Sequence, residues 1–236
     1  AWSGVLANIL FAGQQAMDAG DFVVARQQLN EAIALTRDHP NLINGMAVTA
    51  YKENLLSAFL SKGKSLSRNG YYTDALEWYN DAQQLAYDYG IVQHESIQLL
   101  KAKAHEGICM GIIADAEEML ENGKLNDAFY NLDKARNYRN DYNLSDADVA
   151  SAMTNTASGL FSAYAGDADY YIKREAYEDA LVNVDNMRNV AKLFLPNADR
   201  AAIQKREKSC RIGIYNSYVT KSYEAIHTGD LATANT

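Results

Sequence analysis

Residues 70–82 read GYYTDALEWYNDA. Gly70 opens the stretch, Ala75 stands five residues later, and Tyr79 and Ala82 follow Ala75 at four and seven residues. Small and apolar residues at that spacing lie on one face of a helix. A glycine just ahead of the face marks a turn. The same order recurs as GDFVVARQQLNEA from Gly20, GKLNDAFYNLDKA from Gly123, EAYEDALVNVDNM from Glu175 and GDLATANT from Gly229. These starts are 50, 53, 52 and 54 residues apart. A fixed period of this size is the mark of a repeat architecture.

The alanine of each copy (Ala25, Ala75, Ala128, Ala180 and Ala234) serves as a register mark. Three residues before it stand Phe22, Tyr72, Leu125, Tyr177 and Leu231. Four after it stand Leu29, Tyr79, Leu132 and Val184, and seven after it Ala32, Ala82, Ala135 and Met187. This stripe predicts a buried helix face after every turn. A second stripe precedes the turn. Sixteen before the mark stand Ile9, Phe59, Ile112, Tyr164 and Tyr218; twelve before it stand Gly13, Gly63, Ala116, Ala168 and Ser222, all small. Glycine inside a helix costs about 1 kcal/mol against alanine. Gly13 and Gly63 are therefore expected where a partner helix comes close.

The positions Gly63, Gly70, Ala75, Tyr79 and Ala82 resemble the tetratricopeptide repeat. So do Gly13, Gly20, Ala25, Leu29 and Ala32, and Ala116, Gly123, Ala128, Leu132 and Ala135. The resemblance implies an all-α fold, a right-handed superhelical stack of helix–turn–helix repeats. The period departs from the usual ~34 residues of that family. Helix starts at Asn41, near His94, at Ser145 and at Asn197 give first helices of about 28–30 residues, or about 43 Å. Second helices of about 15 residues follow. Ser145-Asp146-Ala147-Asp148 resembles a capping box. Long helix A and short helix B are thus expected to alternate in one α-solenoid over 1–236, with units of 1–38, 41–89, 94–141, 145–195 and 197–236. The first and last units are shorter than the others, which leads to the expectation that this sequence is a window of a longer protein.

Composition narrows the function. The formal charge is −8, with a pI near 5.0. Such a chain repels phosphate backbones, so nucleic acid is not an expected partner. No apolar run is long enough to span a bilayer. Cys109 and Cys210, in no metal-type spacing, are read as buried thiols. None of the motifs GxGxxG, GxxxxGK[ST], HExxH or GxSxG occurs. The sequence therefore predicts no enzyme activity, no catalytic residues, no cofactor and no metal. Lys205, Arg206, Lys208 and Arg211 form the densest basic stretch and are read as a solvated helix face.

The expected function is a non-catalytic protein–protein interaction scaffold. In the resembled family, partners lie on the inner faces of first helices. The matching positions here are Leu10, Gln14, Leu60, Lys64, Ile113, Glu117, Ala165 and Asp169. They mix apolar and acidic character, so an apolar or basic protein segment is the expected partner, and assembly with other subunits is compatible with the same surface. Two alternatives stand beside it: a solenoid arm of a larger enzyme or ligand-sensing regulator, and a structural part of a cell-envelope or surface assembly.

Overall fold

The computed structural model describes residues 2–41, 45–92 and 94–229. Among these, every regular element is a helix: α1 (Trp2–Asp18), α2 (Phe22–Asp38), α3 (Gly45–Arg68), α4 (Tyr72–Tyr89), α5 (His94–Glu121), α6 (Leu125–Asp141), α7 (Ala147–Lys173), α8 (Tyr177–Phe194) and α9 (Arg200–Thr228). The fold is all-α. Long and short helices alternate from α3 onward: 24, 28, 27 and 29 residues for α3, α5, α7 and α9, against 18, 17 and 18 for α4, α6 and α8. The short helices run two to three residues longer than expected. The register residues Leu231 and Ala234 lie outside the described residues.

The turns repeat with the sequence. After α1, Gly20 takes a left-handed φ of 79°. Its N–H donates to Met17 O at 2.9 Å, and Asp21 N donates to Ala16 O at 2.8 Å. This pair of bonds satisfies the last carbonyls of a helix that ends in a left-handed residue. The same pair closes α3 through Gly70 and Tyr71, α5 through Gly123 and Lys124, and α7 through Glu175 and Ala176. In each case the next residue's carbonyl accepts from the register alanine: Asp21 from Ala25, Tyr71 from Ala75, Lys124 from Ala128, Ala176 from Ala180. The left-handed residue thus ends one helix and sets the phase of the next. Glu175 occupies this position with φ 60° without glycine's freedom.

Two helix starts differ from expectation. The cap of α7 is Asp146, not Ser145: its Oδ1 accepts from Asp148 N at 2.8 Å and Val149 N at 3.0 Å. The cap of α9 is Asp199, not Asn197; it accepts from Ala201 N and Ala202 N. The residues before it form a turn, in which Ala198 N donates to Leu195 O at 2.9 Å. An aspartate one or two residues downstream wins over the earlier Ser or Asn because its extended backbone lets the carboxylate reach two free N–H groups. Asn41 also lies in a turn, and α3 is described from Gly45.

The chain divides into two compact units, Ala1–Ile108 and Cys109–Thr236, and the division falls within α5. In the first unit, α1 packs on α2, α2 on α3, α3 on α4 and α1 on α3. Leu6, Leu29, Leu55, Leu56, Tyr79 and Leu85 are fully buried at its centre. In the second, α6 packs on α7, α7 on α8, α8 on α9 and α7 on α9. Leu132, Leu160, Val184, Met187 and Val190 fill its interior. Ala25, Ala75, Ala128 and Ala180 are all completely buried, as the stripe requires.

Glycines let these helices meet. A methyl group on Gly63 would overlap the ring of Tyr79, and one on Gly13 would overlap the Tyr51 hydroxyl. Two further cases lie 21 residues before a register mark. Gly107 receives the Tyr72 ring, whose nearest atoms stand 2.5 Å from an added Cβ, and Gly213 receives the Tyr177 ring in the same way. The buried hydroxyls find partners: Tyr51 Oη donates to Ala25 O at 3.0 Å, Tyr79 shares a bond with Ser67 Oγ at 3.1 Å, and Tyr164 donates to Asn126 Oδ1 at 3.1 Å. Burial pushes Tyr51 and Tyr164 up to about 12.

Glycines in contact with a ring and glycines in open space respond oppositely to a methyl group. Gly213→Ala is expected to destabilise the chain by about 1–3 kcal/mol through overpacking. Gly166→Ala, mid-helix with no atom near its added Cβ, is expected to stabilise by about 0.5–1 kcal/mol. Urea unfolding of both variants checks this contrast.

Candidate functional site

Of the inner-face positions expected to form a groove, the two large apolar ones at Leu60 and Ile113 are not free surface. Leu60 is 7% exposed and Ile113 is 1% exposed. Both are core residues, so their apolar area is spent within the fold. Leu10 is half-buried and packs on the same interior as Leu60. The polar positions are engaged as well. Gln14 Nε2 donates to Asp18 at 2.9 Å. Glu117 on α5 accepts from Thr156 Oγ1 on α7 at 2.8 Å. Asp169 on α7 accepts from Arg206 on α9 at 2.9 and 2.8 Å, one bond to each oxygen. In the second unit these acids therefore tie one long helix to the next. Lys64 is exposed and Ala165 half-buried.

The basic stretch disperses in the same way. Arg206 is held by Asp169, and Arg211 donates to Glu207 at 3.0 and 2.9 Å. The Arg211 hydrogen bonds, with the Arg188 charge, hold the Glu207 carboxyl below its ordinary range. Cys109 and Cys210 are free, buried thiols, and burial pushes both above the ordinary thiol value. A thiol held protonated is a poor nucleophile. Among the described residues, no three His, Cys, Asp or Glu side chains group as metal ligands, and no helix is long and apolar enough to cross a membrane.

An open groove with an aromatic floor lies instead on the first unit. Phe22 of α2, Phe59 of α3 and Trp78 of α4 meet with ring centroids 5.0–5.2 Å apart, two pairs edge-to-face and one tilted. Such contacts contribute about 0.5–1.5 kcal/mol each beyond area burial. The groove has a volume of about 390 Å³, and its walls are Val23, Arg26, Gln27, Asn30 and Asp81. Phe22 and Trp78 are half-buried, while Val23 is 70% exposed. The wall of α2 is fixed to α4 by polar contacts. Arg26 pairs with Asp88, and Tyr89 Oη donates to Asn30 Oδ1 at 2.7 Å. With Arg26 neutralised, Asp81 is the charge left at the rim without an ion-pair partner among the described residues. The rings arrive in register: three before one alanine mark, sixteen before the next, and three after it. The equivalent positions further on read Tyr72, Ile112, Asn131 and then Leu125, Tyr164, Asn183. Only the first set is aromatic throughout.

Phe22 and Phe59 were legible as stripe residues. Trp78 was not. Its column, three after the mark, reads Gln28, Trp78, Asn131 and Asn183. A tryptophan interrupting a polar column is the signal that locates the groove.

No protein-family model matches the chain, and neither a curated protein nor a solved structure matches it.

The floor and the wall of the groove have separable roles. Trp78→Leu is expected to cost about 1–3 kcal/mol of stability through lost area and ring contacts. Val23→Ser, at an exposed site, is expected to change stability by less than about 0.5 kcal/mol. Chemical unfolding of the two variants measures the difference.

Proposed function

We propose that this chain is a non-catalytic interaction scaffold of tetratricopeptide-like hairpins stacked as an α-solenoid, and that it holds a partner polypeptide in the aromatic groove of its first unit. The observation that carries the proposal is the groove itself. Three rings form its floor, and an exposed valine and an aspartate without an ion-pair partner among the described residues stand at its edge. Large rings fixed by their neighbours offer apolar area at little entropic cost, and such residues anchor protein interfaces. Asp81 favours a basic residue beside that anchor. The preferred partner is therefore a segment with one apolar or aromatic anchor flanked by Lys or Arg.

The repeat supports the same reading. Each hairpin reuses one turn and one packing register, so side chains outside that register vary without altering the frame. Phe22, Phe59 and Trp78 use this freedom.

Selection from a random displayed-peptide library tests the proposal. The two tryptophans of the chain are Trp2 and Trp78. Trp2→Phe therefore makes Trp78 the sole tryptophan, a reporter of the groove under excitation that tyrosine does not absorb. Enriched peptides are expected to carry an apolar anchor with adjacent Lys or Arg, to shift Trp78 emission, and to bind at least about fivefold more weakly to Val23→Lys or Asp81→Lys. Enrichment of acidic peptides, no enrichment, or binding indifferent to both substitutions would contradict it.

A further inference from the structure

The link from α8 to α9 departs from the link from α6 to α7, and the departure leaves a cavity. After α6, Asn143 takes a left-handed φ of 50°, and Leu144 N returns to Arg139 O at 2.9 Å. Leu144 is then buried, and Arg139 Nε donates to its carbonyl at 3.0 Å. The link closes on its own helices. After α8, the corresponding residue is Leu195, followed by Pro196. The proline ring disfavours helical backbone in the residue before it, and Leu195 sits at φ −125°, ψ 74°. No left-handed turn forms, and residues 195–199 connect the helices through a turn in which Ala198 N donates to Leu195 O. Phe194 does not fill the space, because it packs back on α6 against Phe129 and Arg136. The result is a cavity of about 480 Å³ between α8, the link and α9, within the range of small-molecule sites.

Its lining is amphiphilic. Ala191, Leu195, Pro196, Ala198 and Ile203 supply an apolar wall. Arg188, Lys192, Arg200 and Glu207 supply the charges. Arg188 and Glu207 are spent on each other: Arg188 Nη2 lies 2.8 Å from Glu207 Oε2, and Arg188 also pairs with Asp185. Lys192 and Arg200 have no acidic partner among the described residues. In a chain of net charge −8, two uncompensated cations beside an apolar wall are a local inversion of charge. A cation with no internal partner, at the mouth of an apolar cavity, is complementary to an anion with an apolar body. The backbone N–H groups at the start of α9 are not the attraction, since Asp199 already caps them.

We infer that the cavity between α8 and α9 binds a small amphiphilic carboxylate, with its apolar body against Leu195, Pro196 and Ile203 and its carboxylate between Lys192 and Arg200. The ligand class is a short- to medium-chain organic acid. This site is distinct from the aromatic groove and does not depend on the scaffold proposal.

Isothermal titration of the full chain with octanoate, octylammonium and inorganic phosphate tests the inference. Octanoate is expected to bind saturably, while octylammonium and phosphate bind at least about tenfold more weakly. Lys192→Gln with Arg200→Gln, both on exposed side chains, is expected to weaken octanoate about tenfold or more. Ala191→Leu, which fills the cavity and leaves the charges in place, provides a second route to the same loss if the double variant is unstable. No octanoate binding, equal binding of octylammonium or of phosphate, or octanoate affinity unchanged in a folded variant would overturn it.

Discussion

The closeness of one helix to the next depends on a tyrosine ring lying on a helix glycine. Tyr79 on Gly63, Tyr72 on Gly107 and Tyr177 on Gly213 occupy space that a single Cβ would fill. Glycine in a helix weakens it, and a buried hydroxyl needs a partner. The ring contact offsets both costs by burying a large side chain against backbone. The pairing follows from comparing the units. In the second unit Tyr79, four after the mark, stands with Gly63, twelve before it; in the third and fourth, Leu132 and Val184 stand with Ala116 and Ala168. The first unit pairs Leu29 with Gly13, and there the Tyr51 side chain takes the space instead. Ring and methyl replace one another in the same volume.

The turns set the phase on which those contacts depend. A left-handed residue ends α1, α3, α5 and α7, and the following carbonyl bonds the N–H of the register alanine. Helix direction and stripe orientation are therefore decided within about six residues. Variation between units is left to two places, the columns outside the stripe and the links after the short helices. Trp78 exploits the first and Leu195-Pro196 the second. One produces an aromatic groove with an acidic rim, the other an apolar cavity with a cationic mouth.

The sequence carried the frame because the frame is periodic. The buried alanines, the glycine turns and the tight approach at Gly13 and Gly63 all follow from spacing. Helix starts were less legible, since Ser145 competes with Asp146 and Asn197 with Asp199 within a few residues, and the choice depends on backbone geometry. The glycines at 107 and 213 escaped because their partners lie on the preceding short helix, across a repeat boundary that a single-repeat pattern does not reach. The expected inner groove was placed by resemblance, and spacing alone cannot tell a solvent-facing Leu60 or Ile113 from one packed into the interior. The open surface lay where residues break the period, at Trp78 and at Pro196.

A double-mutant cycle on Gly63 and Tyr79 tests the ring-on-glycine account most directly. Unfolding free energies would be measured for Gly63→Ala, Tyr79→Leu and the double variant, whose Ala–Leu pair matches Ala116 and Leu132 of the third unit. The account predicts strong coupling, with the double variant more stable than Gly63→Ala alone and a coupling energy of at least about 1 kcal/mol. Additive losses, with the double variant the least stable of the three, would contradict it.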